Sequence, residues 1–221
     1  MHFIPHFTDG QAFSQPLGKI VCIGRNYADH AKELDNPVPT EPLLFIKPAT
    51  SAVDVREPLN PPFSRGEVHY EIELALLVGD TLSDATQDEA ERAIAGIGLA
   101  MDLTLRDVQT ALKEKGHPWE VAKAFDGACP LSPFLPLKRV PNWNALAFTL
   151  EINGEERQHG EGADMIFPVP TLVAEMSRHF TLEPGDVILT GTPVGVGELP
   201  RGATFRMTLT GGLEITGSVM E

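Results

Sequence analysis

The chain has 221 residues, of which 42% are hydrophobic and 22% are charged, a composition typical of one globular domain with a sizeable core. Its formal net charge of -14 argues against a nucleic acid or an anionic membrane as the partner, because both require clustered lysine and arginine. A small anionic substrate stays compatible, since a bound metal and a few local cations can reverse the field inside a pocket.

The N-terminal region and the two cysteines indicate the compartment. The first six residues lack the basic and apolar regions of a secretory signal, and no apolar run approaches the roughly 20 residues needed to span a bilayer. Cys22 and Cys129 lie in apolar contexts without the spacing of a zinc site, which favours buried thiols. These patterns predict a cytoplasmic protein.

The first predicted elements are a short buried strand over residues 20–23, ended by Gly24, and a helix over residues 25–34. On this helix His30 and Glu33 are three residues apart and share a face. Glu33 can therefore fix the imidazole tautomer while the other nitrogen faces a water, as a general base requires. The alternative is an ordinary solvated helix surface.

Residues 69–79 predict a strand that carries two carboxylates on one face. Glu71 and Glu73 alternate with apolar residues, so their backbone positions are about 6.6 Å apart, close enough for both to reach one divalent cation. We interpret them as a metal-binding pair. The alternative is the wet side of an edge strand.

Residues 88–95 predict an amphipathic helix, residues 97–101 a buried strand, and residues 103–115 a second helix. Asp102 stands between strand and helix, where an N-cap is the competing role. In the second helix Gln109 lies within the buried stripe and needs a polar partner. Arg106 fits either the site or a solvated first turn.

Lys123 lies among small and apolar residues, a setting that fits an anion site or a side chain that reaches back to solvent. Asn153-Gly154 is a strong hairpin signal after a strand over residues 146–152. A helix over residues 170–180 and a strand over 186–190 precede a glycine-rich loop, residues 191–197. That loop lacks a P-loop ending, and we interpret it as offering amides and the Thr192 hydroxyl to an anion, with a plain turn as the alternative.

The C-terminal residues 205–219 predict a second hairpin. With 20 glycines and 19 prolines distributed between short apolar runs, the chain as a whole favours a β-rich α+β domain. A dinucleotide fingerprint at residues 96–101 is rejected, because Met101 occupies the place of the third glycine.

Five motifs follow one another in a recognisable order: His-x-x-Glu at 30–33, Glu-x-Glu at 71–73, Met-Asp-Leu-Thr-Leu-Arg-Asp around Asp102, Ala-Lys-Ala-Phe-Asp around Lys123, and Leu-Thr-Gly-Thr-Pro near the end. Together they resemble the fumarylacetoacetate hydrolase family over roughly residues 17 to 221. The short chain is similar to the small single-domain branch of that family, associated with acylpyruvate hydrolysis and with oxaloacetate decarboxylation or tautomerisation.

The resemblance implies a mixed β-sandwich roll with short flanking helices, assembled as a homodimer. Residues 1–17 would form a covering segment and residues 18–221 one catalytic domain. Glu71, Glu73 and Asp102 would hold Mg²⁺ or Mn²⁺, and three carboxylates without a nearby cysteine suit such a hard cation. His69, on the same strand face, is expected near the ligands without being one of them.

The resemblance also implies roles for the other site residues. His30, oriented by Glu33, would activate a water, and Lys123 would support an oxyanion or a carboxylate. The substrate would be surrounded by Arg25, Arg106, Gln109 and Thr192.

The expected activity is metal-dependent hydrolysis of a carbon–carbon bond in a 2,4-diketo acid of the acylpyruvate or fumarylpyruvate type, through a metal-bound pyruvate enolate. Decarboxylation of oxaloacetate, or keto–enol tautomerisation, at the same site is the alternative. A non-enzymatic alternative is a metal-dependent binding protein, against which the His30 and Glu33 pair argues, since a binder needs no base.

Overall fold

A computed structural model describes residues 3–140 and 142–221. Within these ranges the chain forms fifteen strands, five α-helices and five short 3-10 helices. The strands are β1 Ile20–Gly24, β2 Leu43–Lys47, β3 Ala52–Asp54, β4 Val68–Tyr70, β5 Ile72–Val78, β6 Ile94–Met101, β7 Thr104–Leu105, β8 Cys129–Leu131, β9 Leu135–Pro136, β10 Ala147–Ile152, β11 Glu155–Glu161, β12 Val187–Leu189, β13 Gly197–Glu198, β14 Thr204–Leu209 and β15 Leu213–Ser218. The α-helices are α1 Ala28–Glu33, α2 Gln87–Arg92, α3 Arg106–Glu114, α4 Glu120–Lys123 and α5 Val169–His179, and the 3-10 helices are Ala49–Ser51, Phe63–Arg65, Leu137–Arg139, Trp143–Ala145 and Gly162–Asp164.

The strands form three sheets. The largest has eight strands in the order β2-β1-β12-β5-β6-β8-β3, with β9 also paired to β6. A four-stranded sheet runs β11-β10-β14-β15, and a three-stranded sheet runs β13-β4-β7. The predicted β-rich fold with short flanking helices is therefore confirmed.

Strand β5 is the centre of the large sheet and is buried along its whole length. It lies antiparallel between β12 and β6, and its side chains enter an apolar cluster on each face of the sheet. On one face the cluster includes Phe148 and Met207 from the four-stranded sheet. On the other face Phe7 and Phe13 from the N-terminal segment pack against the cluster. A strand covered on both faces reads as a nearly continuous apolar run, as β5 does.

The predicted single strand over residues 69–79 is wrong in one respect, because the chain changes sheets within it. Strand β4 pairs with β7 and β13, whereas β5 belongs to the large sheet, and Glu71 lies at the junction. The edge-strand alternative for the two glutamates fails, since β5 has neighbours on both sides and is buried.

Two predicted helices are shorter than expected because residues at one end of each belong to β-strands. The helix expected over residues 103–115 begins at Arg106, since Thr104 and Leu105 pair with β4. Its N-cap is Leu105, which removes the capping role considered for Asp102. The helix expected over residues 88–95 ends at Arg92, because Ile94 pairs with Val78.

The hairpin predicted at Asn153-Gly154 is confirmed. Both residues have positive φ, 53° and 82°, as a type I′ turn requires, and they join β10 to β11. Cys22 and Cys129 are buried free thiols, as predicted, and burial raises the pKa of Cys129 to about 12. Among the described residues, no helix has the length and apolar character needed to cross a membrane.

Candidate active site

Three carboxylates converge where β5 and β6 run side by side. Glu73 lies on β5 opposite Ala100, and just beyond the ladder the Asp102 amide donates to the Glu71 carbonyl over 2.8 Å. One oxygen from each carboxylate lies within 4.8 Å of the others. None of the three residues is more than 5% exposed. The antiparallel pairing thus places side chains 31 residues apart in the chain into one buried cluster.

Three cations accompany two of these carboxylates. Glu71 forms ion pairs with Arg106 and with Lys123, the latter at 2.9 Å. Asp102 forms ion pairs at 2.6 Å with Lys123 and with Lys47. The solvated alternatives for Arg106 and Lys123 are therefore wrong, since both ammonium and guanidinium groups point into the protein.

The charges of the cluster shift several pKa values in opposite directions. Burial acts to raise the pKa of Glu71, but the charges of Lys123 and Arg106 outweigh it and hold that pKa below its usual range. Burial also acts to lower the pKa of Lys123, but Asp102 and Glu71 reverse this and raise it. For Glu73 burial, followed by the charges of Asp102 and Glu71, raises the pKa well above the ordinary value, and the charge of Lys123 and the Gly191 amide offset only part of this.

The cluster fits a divalent cation. Glu73 has no lysine, arginine or histidine nitrogen within 4.0 Å anywhere in residues 3–140 and 142–221, although it is 1% exposed. Its carboxylate lies beside those of Glu71 and Asp102, and all three are buried. A buried carboxylate that lacks a cationic partner and is grouped with two others is what a metal ion bound to the three would satisfy.

Beside the carboxylates, His30 and Glu33 form the predicted pair on α1. His30 Nδ1 lies 3.1 Å from Glu33 Oε2, and the imidazole is buried. Glu33 is itself held by the amide of Gly195, which donates to Oε1 over 2.9 Å. His30 Nε2 has no hydrogen-bond partner within the part of the chain that the structure describes. His30 is therefore not part of a solvated helix surface, although Glu33 is exposed, and the imidazole Nε2 is left for a ligand.

A single pocket joins these groups, with an empty volume of about 430 Å³ that includes the part open to solvent. The pocket is lined by Ile23, Gly24, Arg25, His30, Leu34, Asn36, Phe45, Glu71, Glu73, Asp102, Arg106, Gln109, Lys113, Trp119, Lys123 and Thr192.

The glycine-rich loop contributes differently from our interpretation. Its Gly191 amide donates to Glu73 Oε2 over 2.6 Å, and its Gly195 amide reaches Glu33, so both support site carboxylates and do not face an anionic ligand. Thr192 does line the pocket, where Gln158 Nε2 donates to its hydroxyl over 2.8 Å. The loop positions the site residues, and one side chain of the loop enters the pocket.

The fumarylacetoacetate (FAA) hydrolase C-terminal family matches residues 19–219 of the chain. The chain belongs to this family. The resemblance inferred from the five motifs is confirmed, and the enzyme family accounts for the β-rich fold around a buried acidic cluster.

Individual members of the fumarylacetoacetate hydrolase family are similar to the chain over nearly its whole length. Oxaloacetate tautomerase YcgM of Escherichia coli is 50% identical over 207 residues, covering 93% of this chain and 94% of the relative. The mitochondrial oxaloacetate tautomerase of Homo sapiens is 42% identical over 193 residues, covering 84% and 87%. The crystal structure of fumarylpyruvate hydrolase from Pseudomonas aeruginosa in complex with Mn²⁺ and pyruvate is 36% identical, covers 99% of this chain and 96% of its own, and has a TM-score of 0.93.

Within this family fold, the predicted site residues come together. Of the ten predicted catalytic, metal-binding and substrate-binding residues, nine line the pocket, and the tenth, Glu33, contacts His30. The polar partner expected for Gln109 is Arg106, whose guanidinium donates to Oε1 over 2.7 Å. His69, predicted near the ligands without being one of them, does not line the pocket, and its Nε2 lies 3.8 Å from the Glu67 carboxylate.

Sequence reasoning missed four contributors to the site. Lys47 ends β2 and is fully buried, and its only sequence signal is a charge directly after the apolar run 43–46. Phe45 and Trp119 form an apolar wall with ring centroids 6.1 Å apart. Lys113 lines the pocket from the last turn of α3, where nothing distinguishes it from a surface lysine.

The substitution Glu73→Gln is expected to preserve or raise the stability of the protein in chelator and to lower its affinity for a divalent cation. In a chelator the variant should be at least as stable as the parent, because the amide removes a buried charge that lacks a cationic partner and still accepts from Gly191. With Mg²⁺ or Mn²⁺, affinity should fall by about 10- to 100-fold or more, since changing groups that merely support metal ligands costs that much.

Thermal unfolding in chelator and in each cation, together with calorimetric titration, measures both effects. Glu67→Gln is a matched control, because its carboxylate is 65% exposed and outside the pocket lining. Equal cation affinity in parent and Glu73→Gln variant would rule out Glu73 as a ligand.

Proposed function

We propose that this protein catalyses the keto–enol tautomerisation of oxaloacetate, with Mg²⁺ or Mn²⁺ as the cation. Two relatives named oxaloacetate tautomerase support the proposal, at 50% and 42% identity. The observation that carries it is the pairing of His30 with Glu33 in the pocket of the carboxylate cluster, because tautomerisation requires one proton-carrying group beside a polarised carbonyl. This choice favours the alternative over the hydrolase expected from the motifs.

The reaction moves one proton from C3 of oxaloacetate to the oxygen on C2. A cation held by Glu71, Glu73 and Asp102 would act as a Lewis acid that polarises the C2 carbonyl. His30 Nε2 accepts the C3 proton and returns a proton to the oxygen, while Glu33 stabilises the imidazolium between these steps. The Lys123 ammonium stabilises the negative charge that develops on the C2 oxygen.

Water exclusion fits this chemistry. Phe45 and Trp119 line the pocket with apolar rings, and the carboxylates and Lys123 are all almost fully buried. Electrostatic interactions are stronger where water is excluded, and a proton held by His30 is not lost to solvent. Tautomerisation needs no attacking water, so the exclusion of water does not hinder the reaction.

Hydrolysis of an acylpyruvate, such as fumarylpyruvate, is the second candidate. It is favoured by the similarity to the fumarylpyruvate hydrolase structure, with a TM-score of 0.93. The same His30 and Glu33 pair would then deprotonate a water for attack on the C4 carbonyl.

The deciding experiment follows the ultraviolet absorbance of the enol as oxaloacetate equilibrates, with Mg²⁺, with Mn²⁺ and in chelator. We expect faster equilibration with either cation than in chelator, and slower turnover of fumarylpyruvate and simple acylpyruvates in parallel assays. Cleavage of an acylpyruvate with no effect on oxaloacetate would select the hydrolase. No turnover of any of these compounds would support the metal-dependent binding protein.

A further inference from the structure

The charges that line the pocket do not balance among themselves. Glu71 and Asp102 are paired with Arg106, Lys123 and Lys47. The acidic residues in the described lining of the pocket are Glu71, Glu73 and Asp102. The lining also contains two further cations, Arg25 and Lys113, in a chain whose formal net charge is -14. A negative ligand is the missing counterpart.

Arg25 has an unusual backbone conformation and no polar side-chain partner among the described residues. Its φ of 63° lies in the left-handed region that residues other than glycine rarely adopt, and such conformations concentrate at functional sites. The side chain is half-buried, yet its guanidinium contacts no carboxylate within 4.0 Å and donates no hydrogen bond to residues 3–140 or 142–221. The fold therefore holds this cation at the pocket without using it for structure.

Lys113 reaches the same pocket from the last turn of α3. Its ammonium donates to Asn36 Oδ1 over 3.2 Å, which joins α3 to the loop after α1, and it forms no ion pair with a described carboxylate. Partial burial, and then the positive charges of Arg25 and Arg106, lower the pKa of Lys113. Arg25, Lys113 and Arg106 are therefore like charges near one another, and only Arg106 has an acidic partner, Glu71. Their mutual repulsion is relieved when an anion binds.

These two cations lie at the solvent end of the pocket. Lys113 is exposed and Arg25 half-buried, whereas the three carboxylates and Lys123 are buried. A 2-oxo acid whose C1 carboxylate and C2 oxygen face the carboxylate cluster directs the rest of its chain towards this end. In oxaloacetate the group at that end is a second carboxylate.

We propose that Arg25 and Lys113 form a subsite for the second carboxylate of the substrate, which makes the pocket selective for dicarboxylic 2-oxo acids. The proposal rests on the proposed function for the identity of the substrate. Arg25 supplies most of the selectivity, because a planar guanidinium can bind a carboxylate through two parallel hydrogen bonds. Lys113 adds a more exposed and weaker charge.

The test compares oxaloacetate with 2-oxobutanoate, which has a methyl group in place of the second carboxylate. Calorimetric titration of each ligand in Mg²⁺ measures affinity without requiring turnover. In Arg25→Gln the dissociation constant for oxaloacetate should rise by about 10- to 100-fold, the range of a lost hydrogen bond between charged groups, while that for 2-oxobutanoate changes less than about 2-fold. Lys113→Gln should weaken oxaloacetate binding by about 2- to 5-fold.

Two further variants and two further measurements sharpen the outcome. Arg25→Lys keeps the charge and should retain part of the preference, and Lys32→Gln, on the solvent side of α1 with a 70% exposed side chain, should retain all of it. In the tautomerase assay Arg25→Gln should raise KM for oxaloacetate and leave kcat within about 2-fold, because Arg25 lies at the far end from the reacting atoms. Thermal unfolding confirms that each variant is folded.

Two results would overturn the subsite: equal affinity of the parent protein for both ligands, or an equal change for both ligands in Arg25→Gln. If the parent prefers oxaloacetate and loses that preference in Arg25→Gln but does not tautomerise it, the subsite stands and the proposed function fails.

Discussion

The substitution His30→Gln is expected to lower kcat for oxaloacetate tautomerisation by about 10²- to 10⁴-fold, the usual contribution of a positioned general acid–base group. The imidazole is buried, hydrogen-bonded to Glu33, and leaves Nε2 without a partner among the described residues. Glutamine fills similar space but cannot carry a proton between C3 and the C2 oxygen. KM should change little, since His30 contributes no charge needed to hold the substrate.

Steady-state kinetics on oxaloacetate measures this effect, and calorimetric titration with Mg²⁺ separates it from damage to the carboxylate cluster. Glu33→Gln is the graded comparison, because the amide can still orient the imidazole but no longer stabilises its charged form, so kcat should fall by less than in His30→Gln. A His30→Gln variant with the rate of the parent would remove His30 from the reaction. If hydrolysis is the main activity, the same substitution should abolish acylpyruvate cleavage.

The second large effect is on stability: Lys47→Met is expected to lower the free energy of unfolding by about 3–5 kcal/mol. Lys47 is fully buried, lies 2.6 Å from Asp102, and donates to the backbone carbonyls of Lys123 and Ala128. Methionine matches the length of the side chain, but it leaves a buried carboxylate short of one charge and the Lys123 carbonyl without a donor among the described residues, whereas the Ala128 carbonyl still accepts from the Leu103 amide.

Urea unfolding of the protein in chelator measures this loss. The double variant Lys47→Met with Asp102→Asn tests the reason, because removing both charges should recover part of the stability lost in Lys47→Met alone. Lys32→Met is the control for a lysine that is 70% exposed, and it should stay within about 0.5 kcal/mol of the parent. A loss below about 1 kcal/mol in Lys47→Met would show that Asp102 does not depend on this cation.

The position of Lys47 also links stability to function. Its ammonium forms an ion pair with Asp102 and donates a hydrogen bond to the carbonyl of Lys123 at the end of α4. The positions of Asp102 and Lys123 therefore both depend on this one buried side chain. Asp102 in turn bonds Lys123 at 2.6 Å. We therefore expect any substitution that frees Lys47 to disturb the carboxylates and the ammonium together.

Local pattern was sufficient for several parts of the fold. Asn153-Gly154 predicts its hairpin because few residues other than asparagine and glycine accept two positive φ values in succession. The element over residues 69–79 was found by alternation, but its division at Glu71 was not, since the change of sheet depends on partners far away at Thr104 and Gly197. For the same reason α3 starts later than its helical pattern suggests.

For Glu71 and Glu73, too, the local pattern predicted one part and the tertiary structure decided the other. The period of two predicts that both side chains share one strand face, but Glu71 lies at the junction between β4 and β5, and only Glu73 belongs to β5. Their burial does not follow from that period, because it depends on β12 and β6 covering both edges of β5 and on Asp102 arriving from the next strand.

The sequence by itself determined the family and the chemical groups of the site, because motif order and residue type are local properties that survive without coordinates. It placed His30, Glu33, Lys123 and the three carboxylates among the site residues, and the fold brings them together. Only the tertiary structure decided which charges are paired, since ion pairs join segments that are distant in the chain. Lys47 is therefore paired with Asp102, whereas Arg25 and Lys113 line the pocket without an ion pair among the described residues.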